Sequence, residues 1–225
     1  MAKRSFAIIG LGRFGAAMAT SLAELGHEVI GIDANEEHVS GLDDLLAQTM
    51  TLDATDEKAL RSAGIQDVDV AVISIGENIE ASVLVAMLVL DLGIPTVVAK
   101  AITPLQGRIL ERLGVSRVVF PERDMAIRVA HSLVVPNVID FIELSRDFSI
   151  VEVPAPPEFV GQTLKDLALR PKYGLTLIAI KRRNADGTET TSVAPAADDH
   201  IEAGDVLSLL GPNDRLANLE KLLGR

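Results

Sequence analysis

A chain of 225 residues, 48% hydrophobic and 24% charged with a mean hydropathy of +0.30, is long enough for one large domain or two modest ones. Its formal net charge of −11 argues against nucleic acid or an anionic membrane surface as the main partner, and 3% aromatics without tryptophan disfavour stacking on single strands. The absence of cysteine excludes disulfides and thiolate metal sites.

From the N-terminus, "MAKRSFAIIGLGRFG" runs directly into an apolar strand and leaves no room for a signal peptide, so a cytoplasmic location is the default expectation. The longest apolar run, "ASVLVAMLVL" at 81–90, is too short to span a bilayer and reads as a buried helix or subunit contact. Strand-like runs recur at about twenty-residue intervals, over 5–10, 28–33, 49–53, 69–75, 96–101 and 117–121. Most are apolar at nearly every position, as parallel strands covered on both faces require. Helical segments are expected between them, over 13–25, 36–47, 56–63, 78–92, 104–113 and 122–134. Pro104 follows Thr103 at one helix start, and Gly26, Gly64, Gly93 and Gly114 stand just past helix ends. Alternation of this kind predicts an α/β fold, a Rossmann-like doubly wound parallel sheet over residues 1–136.

After Pro136 the pattern changes. Residues 137–147 read as a short amphipathic connection, and 148–225 as a small α+β domain. Its strands are expected at 148–154, 175–182, 188–195 and 205–211, with a hairpin turn over Asn184–Gly187 and a short helix in "GQTLKDLAL". "NDRLANLEKLL" is the last helix, capped by Asn213 or Asp214. Charge is uneven: 11 Lys/Arg against 20 Asp/Glu in residues 1–143, but 10 against 12 in 144–225.

In a doubly wound sheet, ligands bind outside the carboxyl ends of the strands. After the first strand stand Gly10, Gly12 and Gly15 of "GLGRFG", the turn that brings backbone amides and a helix N-terminus to a phosphate. The whole turn, with Arg13 and Phe14, counts as cofactor-binding. Arg13 is unexpected at the positive end of a helix dipole unless a negative charge faces it. Asp33 ends the second strand and suits a ribose diol; Ala34, Asn35, Glu36 and Glu37 after it offer no cation for a 2′-phosphate. At the third strand end, Asp53 and Ala54 of "DATD" leave room for an adenine edge, although Asp53 could equally cap the next helix. Gly76 in "SIGEN" lets backbone approach a ligand, and Asn78 is a cap candidate. Lys100, ending the fifth strand, is a phosphate counter-charge or a snorkelling surface lysine. Glu122 in "FPERDMA" is either comfortable at a helix start or, on the same edge as Lys100, a ligand for a metal beside phosphates. His27, His38, His131 and His200 show no metal-ligand spacing and read as structural or solvated, as do Asp43-Asp44 and Asp198-Asp199.

The same glycines serve NAD-dependent oxidoreductases, which is the alternative reading. Such an enzyme needs a proton donor and an anion anchor beside the nicotinamide, and the second domain offers only His200. A module that senses its nucleotide fits better. "FAIIGLGRFGAAMATSLAELGHEVIGIDANEEHV", "DATDEKALRSAGI", "VISIGENIEAS", "VVAKA" and "GVSRVVFPERDMAIRVAHSL" together resemble the RCK family (regulator of potassium conductance), most strongly the regulatory subunits of Ktr/Trk-type potassium uptake systems. The resemblance covers essentially the whole chain, with "FSIVEVPAPPEFVGQTLKDLALRPKYGLTLIAIKR" similar to the family's C-lobe.

The resemblance implies a cytosolic protein, peripheral on the inner face of the cell membrane, whose homodimers assemble into an octameric gating ring. That ring would dock on a separate membrane potassium translocator. It also implies ATP or ADP in the N-lobe, with NAD or NADH as another occupant, and Mg2+ or Ca2+ at the phosphates. By motif, Arg13 is assigned to phosphate, and Asp33, Ala34 and Asn35 to the ribose side. Asp53 and Ala54 go to adenine, and Ile75, Gly76 and Glu77 to the pocket wall. Lys100 is assigned to phosphate, and Glu122 to the divalent cation at the dimer contact. Gln106 departs from the family, which often has histidine there. In some relatives the C-lobe binds cyclic di-AMP; the candidate cations here are Arg170, Lys172, Lys181, Arg182 and Arg183.

Overall fold

The structure, a computed structural model, describes residues 2–134, 139–184 and 186–223. The chain divides into two compact units, one up to Arg123 and one from Asp124. In the first, β1 (Ser5–Ile9), β2 (Glu28–Asp33), β3 (Gln48–Thr51), β4 (Val70–Ile73), β5 (Thr96–Lys100) and β6 (Arg117–Val119) form one sheet in the order β3-β2-β1-β4-β5-β6. Every pairing is parallel. The helices between them are α1 (Arg13–Glu24), α2 (Glu36–Ser40), α3 (Glu57–Ser62), α4 (Ile79–Asp91) and α5 (Pro104–Leu113). The helix α6 (Pro121–Val134), assigned by sequence to the first domain, crosses the division between units.

The apolar strands are explained by two separate cores. Ala7, Ile9, Ala71 and Ile73 point to a core with Leu60 of α3, Val85 and Val89 of α4 and Leu110 of α5. Ile8, Val70 and Val72, one residue out of phase, point to the other face, against Ala19 of α1 and Val39 of α2. Period-two alternation thus places apolar side chains on both faces. The strand order reverses direction between β1 and β4, and their carboxyl ends open the crevice expected of this topology.

The helix expected over 36–47 stops at Ser40. Asn35 caps its start, its side chain accepting from the Glu37 amide at 3.0 Å, and Gly41 caps its end. The next residues form turns in which Leu42 and Leu46 still reach the core. Asp43 accepts from the Thr49 hydroxyl, so this carboxylate is tied to β3 and is not simply solvated. Two adjacent carboxylates after a glycine favour such side-chain bonds over continued helix.

The second unit holds a five-stranded antiparallel sheet, in the order β10 (Glu189–Val193), β9 (Thr176–Arg183), β11 (Val206–Pro212), β8 (Phe148–Pro154) and β7 (Asp140–Glu143). Inward residues of β8, β9 and β11 meet Phe159, Leu169 and Leu216 in a third core. β7 lies in the segment read as a connection; it pairs with β8 from Asp140↔Glu152 to Glu143↔Ser149. The short helix expected in "GQTLKDLAL" is α7 (Leu164–Leu167); it ends where Ala168 takes left-handed backbone at φ +45°, and a second helix that the sequence reading does not include, α8 (Leu169–Tyr173), follows. The hairpin turn closes with the Asn184 amide donating to Thr188 O at 2.8 Å; Ala185 within it, like 135–138, lies outside the described residues. The last helix, α9 (Asn213–Leu223), covers the expected segment, but Asn213 and Asp214 lie within it and not at its cap; the Asn213 side chain instead accepts from Ser149 Oγ at 2.8 Å and donates to Arg146 O at 3.0 Å.

Among the described residues no helix is long and apolar enough to cross a membrane.

Candidate nucleotide site

The glycine-rich turn is built by close packing. Gly10 stands at φ +95°, a conformation that side chains resist. Its amide donates to Ile32 O at 2.8 Å, tying the turn to the end of β2. A methyl group on Gly15 would overlap the carbonyl oxygen of Gly10. At Gly12, the N-cap of α1, nothing stands within 4 Å of an added Cβ. Gly10 and Gly15 are thus required by the fold, whereas Gly12 keeps open space before the helix N-terminus. That is the placement of a phosphate turn.

Two clefts meet over this turn. One, of about 460 Å³, is lined by Gly10, Asp33, Ala34, Asp53, Ala54 and Ile75. The other, of about 710 Å³, is lined by Arg13, Phe14, Lys100, Glu122, Phe120 and Arg123. Gly12, His38, Ser74, Gly76 and Glu77 line both, so the two form one continuous crevice. These volumes are those of small-molecule sites.

All but two of the residues singled out by sequence therefore line the crevice. Gly15 lies beneath the turn, and Asn35 serves as the cap of α2. His38, read as structural or solvated, lies at the junction of the clefts, with Nδ1 3.2 Å from Oδ2 of Asp33. Sequence held one signal for it: His38 is the third residue of a helix that starts directly after β2, and helical side chains lean back toward the N-terminus.

Asp33 holds the turn together. Its Oδ2 accepts from the Leu11 amide at 2.6 Å and its Oδ1 from the Asn35 amide at 2.8 Å. Burial pushes its carboxyl up, but the Asn35 and Leu11 amides and His38 outweigh it and hold the group below its ordinary value. Asp53 accepts from the hydroxyl and amide of Thr55 at 2.7 and 2.9 Å, which lower its carboxyl. The cap of α3 is Asp56, so Asp53 does not cap that helix. Asn78 does cap α4, accepting from the Ala81 amide at 3.0 Å.

The second cleft is the charged one. Lys100 is only 12% exposed, so it points into the cleft and does not snorkel out. Its Nζ lies 2.6 Å from Oε1 of Glu122 and 5.8 Å from the centre of the Phe14 ring. The Lys100 hydrogen bond holds the Glu122 carboxyl below its ordinary value, and Arg13 adds a weaker attraction from the start of α1. Arg13 and Glu122 line the same cleft, so the start of α1 has a carboxylate within electrostatic range. Gln106 is buried: Oε1 accepts from the Ile102 amide at 2.9 Å and Nε2 donates to Ser82 at 3.2 Å. It braces the loop beside the cleft by neutral hydrogen bonds.

In the second unit, Lys181 Nζ lies 2.7 Å from Glu152 Oε1, and Arg182 pairs with Asp205 and Glu202. Lys172 Nζ donates to Asp166 O at 3.0 Å. Three of the five cations considered for a C-lobe dinucleotide thus already have protein partners.

The first unit is thus a doubly wound, Rossmann-like domain with a two-part crevice at its switch point, and the second a small antiparallel unit. Residues 6–121 match the TrkA-N domain and residues 148–224 the TrkA-C domain. The chain belongs to the family defined by these two domains. It is 39% identical to Ktr system potassium uptake protein C of Bacillus subtilis (strain 168) over 219 residues, 97% of each chain. It is 34% identical to Ktr system potassium uptake protein A of Vibrio alginolyticus over 98% of each. The crystal structure of the GsuK RCK domain matches the whole chain at a TM-score of 0.66 and 20% identity; this chain spans 48% of that one. The Kef CTD of Shewanella denitrificans in its AMP-bound form matches 59% of this chain and 82% of its own, at a TM-score of 0.51 and 25% identity. Full-length relatives that are potassium uptake proteins set aside the oxidoreductase reading.

Proposed function

We propose that this protein is the nucleotide-sensing subunit of a potassium uptake system, taking ATP or ADP, with NAD(H) as another occupant of the same crevice. The observation that carries the reading is the division of one crevice into a nucleoside cleft with Asp33 and a charged cleft with Arg13 and Lys100. The full-length Ktr relatives and the AMP-bound Kef domain support it. The protein works in the cytoplasm as homodimers assembled into an octameric ring, docked on a separate membrane translocator.

Ala34 and Ala54 give the nucleoside room, and Asp53 with Thr55 forms the rim. Gly12 and the amides at the start of α1 receive phosphate, and Lys100 is its counter-charge once released from Glu122. Glu122 is a mostly exposed carboxylate, and no three His, Asp or Glu side chains stand together as a metal site among the described residues. It fits a hard cation held mainly by phosphate oxygens and water, which needs one or two carboxylates from protein. Such an ion, Mg2+ or Ca2+, would neutralise phosphate charge there.

Titrating ATP, ADP and NADH with and without magnesium or calcium tests this. A ligand at 100 times its dissociation constant should stabilise the fold by about 2.7 kcal/mol; no shift in melting temperature with any of them overturns the reading. In Glu122→Gln the cation-dependent part of ATP binding is expected to vanish, and identical curves would remove the metal role. Arg13→Ala should weaken ATP by roughly tenfold or more, as loss of a charged hydrogen bond predicts, and ADP much less. Equal weakening makes Arg13 a general anchor.

A further inference from the structure

In such a crevice an acidic residue at the end of the second strand accepts from the ribose, but here most of the acceptor capacity of Asp33 is already used. A carboxylate offers about four acceptor positions. The Leu11 amide and His38 Nδ1 occupy Oδ2, and the Asn35 amide occupies one side of Oδ1. One position remains, while a diol brings two hydroxyl donors. The following turn supplies no replacement side chain: Ala34 has no side-chain acceptor, Asn35 turns its side-chain oxygen to the Glu37 amide, and Asn35, Glu36 and Glu37 line neither cleft.

His38 can supply it. Asp33 can only accept, so the proton between the two groups sits on Nδ1 of the imidazole. In the neutral ring Nε2 is then an acceptor, and the residue lines both clefts where they join. We propose that His38 is a ribose-reading residue of this protein: Asp33 Oδ1 accepts one hydroxyl of an adenine nucleotide and His38 Nε2 the other. The assignment rests on the nucleotide reading above and specifies how that site recognises its ligand.

Calorimetric titration of ADP, 2′-deoxy-ADP and 3′-deoxy-ADP into the full chain, as wild type, His38→Ala and His38→Gln, tests it. Wild type should prefer ADP to both analogues. His38→Ala should erase the preference over one analogue, a loss of about 3- to 10-fold in ADP affinity as expected for one neutral hydrogen bond. Affinity for that analogue itself should stay unchanged. His38→Gln, whose Oε1 accepts, should restore the preference. The proposal is overturned if His38→Ala weakens ADP and both analogues by a common factor, or changes none of them. A wild-type chain that binds no adenine nucleotide overturns the site reading itself, and this inference with it, before any variant is compared.

Discussion

Gly15→Ala is expected to destabilise the first unit by about 3 kcal/mol or more, the upper range for overpacking that must move backbone. The added methyl would overlap the Gly10 carbonyl oxygen and stand 3.1 Å from Ser74 Oγ. The atoms it meets belong mainly to the backbone of the strained turn, so no rotamer change relieves the clash. Gly12→Ala is the control. Its Cβ meets nothing within 4 Å, its φ of −61° suits any residue, and the loss is that of a slightly worse helix cap, about 1 kcal/mol or less. Yet that methyl enters the shared floor of both clefts. The ADP-dependent rise in melting temperature should therefore disappear in Gly12→Ala while the unliganded melt hardly moves. The reverse pattern would mean that the open space at Gly12 is not where phosphate goes. Tyr173, the chain's one tyrosine in the absence of tryptophan, packs on Phe159 in the second unit. Its fluorescence should keep its own transition in Gly15→Ala while far-UV circular dichroism loses the signal of the first unit.

The parts of this crevice that sequence revealed are those that depend on nearest neighbours in the chain. Gly10, Gly12 and Gly15 are a local turn, and Asp33, Asp53, Gly76, Lys100 and Glu122 stand at or just past strand ends, which the strand order alone brings to one edge. What sequence did not reveal is how these groups pair. Sequence assigns Lys100 and Glu122 each to a ligand, but β5 and β6 are neighbours, and the opposite charges at their ends meet at 2.6 Å. His38 escapes the sequence reading because its partner is not on its own helix: the expected and the observed α2 start at the same residue, and what seats the third residue on Asp33 is the two-residue link from the end of β2. β7 was hidden for a different reason: Asp140–Glu143 is an edge strand whose partner, β8, supplies most of the information that makes it a strand.

The Lys100–Glu122 contact also links the two ligand expectations. Phosphate needs the ammonium and a cation needs the carboxylate, and each is occupied by the other. An arriving phosphate that draws Lys100 away releases Glu122, and a cation that draws Glu122 away releases Lys100. Binding of the two should therefore be mutually reinforcing, and linkage makes the effect of each on the other equal.

Asp205→Asn should cost the second unit about 3 kcal/mol or more, the loss measured when one partner of a buried ion pair is removed. The Asp205 side chain is fully buried, and its two oxygens accept from Arg182 Nε and Nη2 at 2.7 and 2.8 Å and from the Glu202 amide at 2.8 Å. Asparagine keeps the shape but offers one acceptor oxygen to the fork, and its amide group opposes a donor. Arg182 would retain Glu202 and His200 O, neither of which ties β9 to the start of β11 as Asp205 does. The pH dependence follows from the same contacts. Burial pushes the Asp205 carboxyl up, but the Arg182 guanidinium and the Glu202 amide outweigh it, leaving the folded group below the ordinary value of 3.8. A carboxyl depressed in the folded state stabilises above its unfolded value, and that contribution fades as pH falls through the folded one. Urea melts followed by Tyr173 fluorescence should thus show the full difference between wild type and variant at pH 7, and a smaller one below about pH 4. A gap that stays constant into acid would mean that Asp205 acts through packing alone, without its charge.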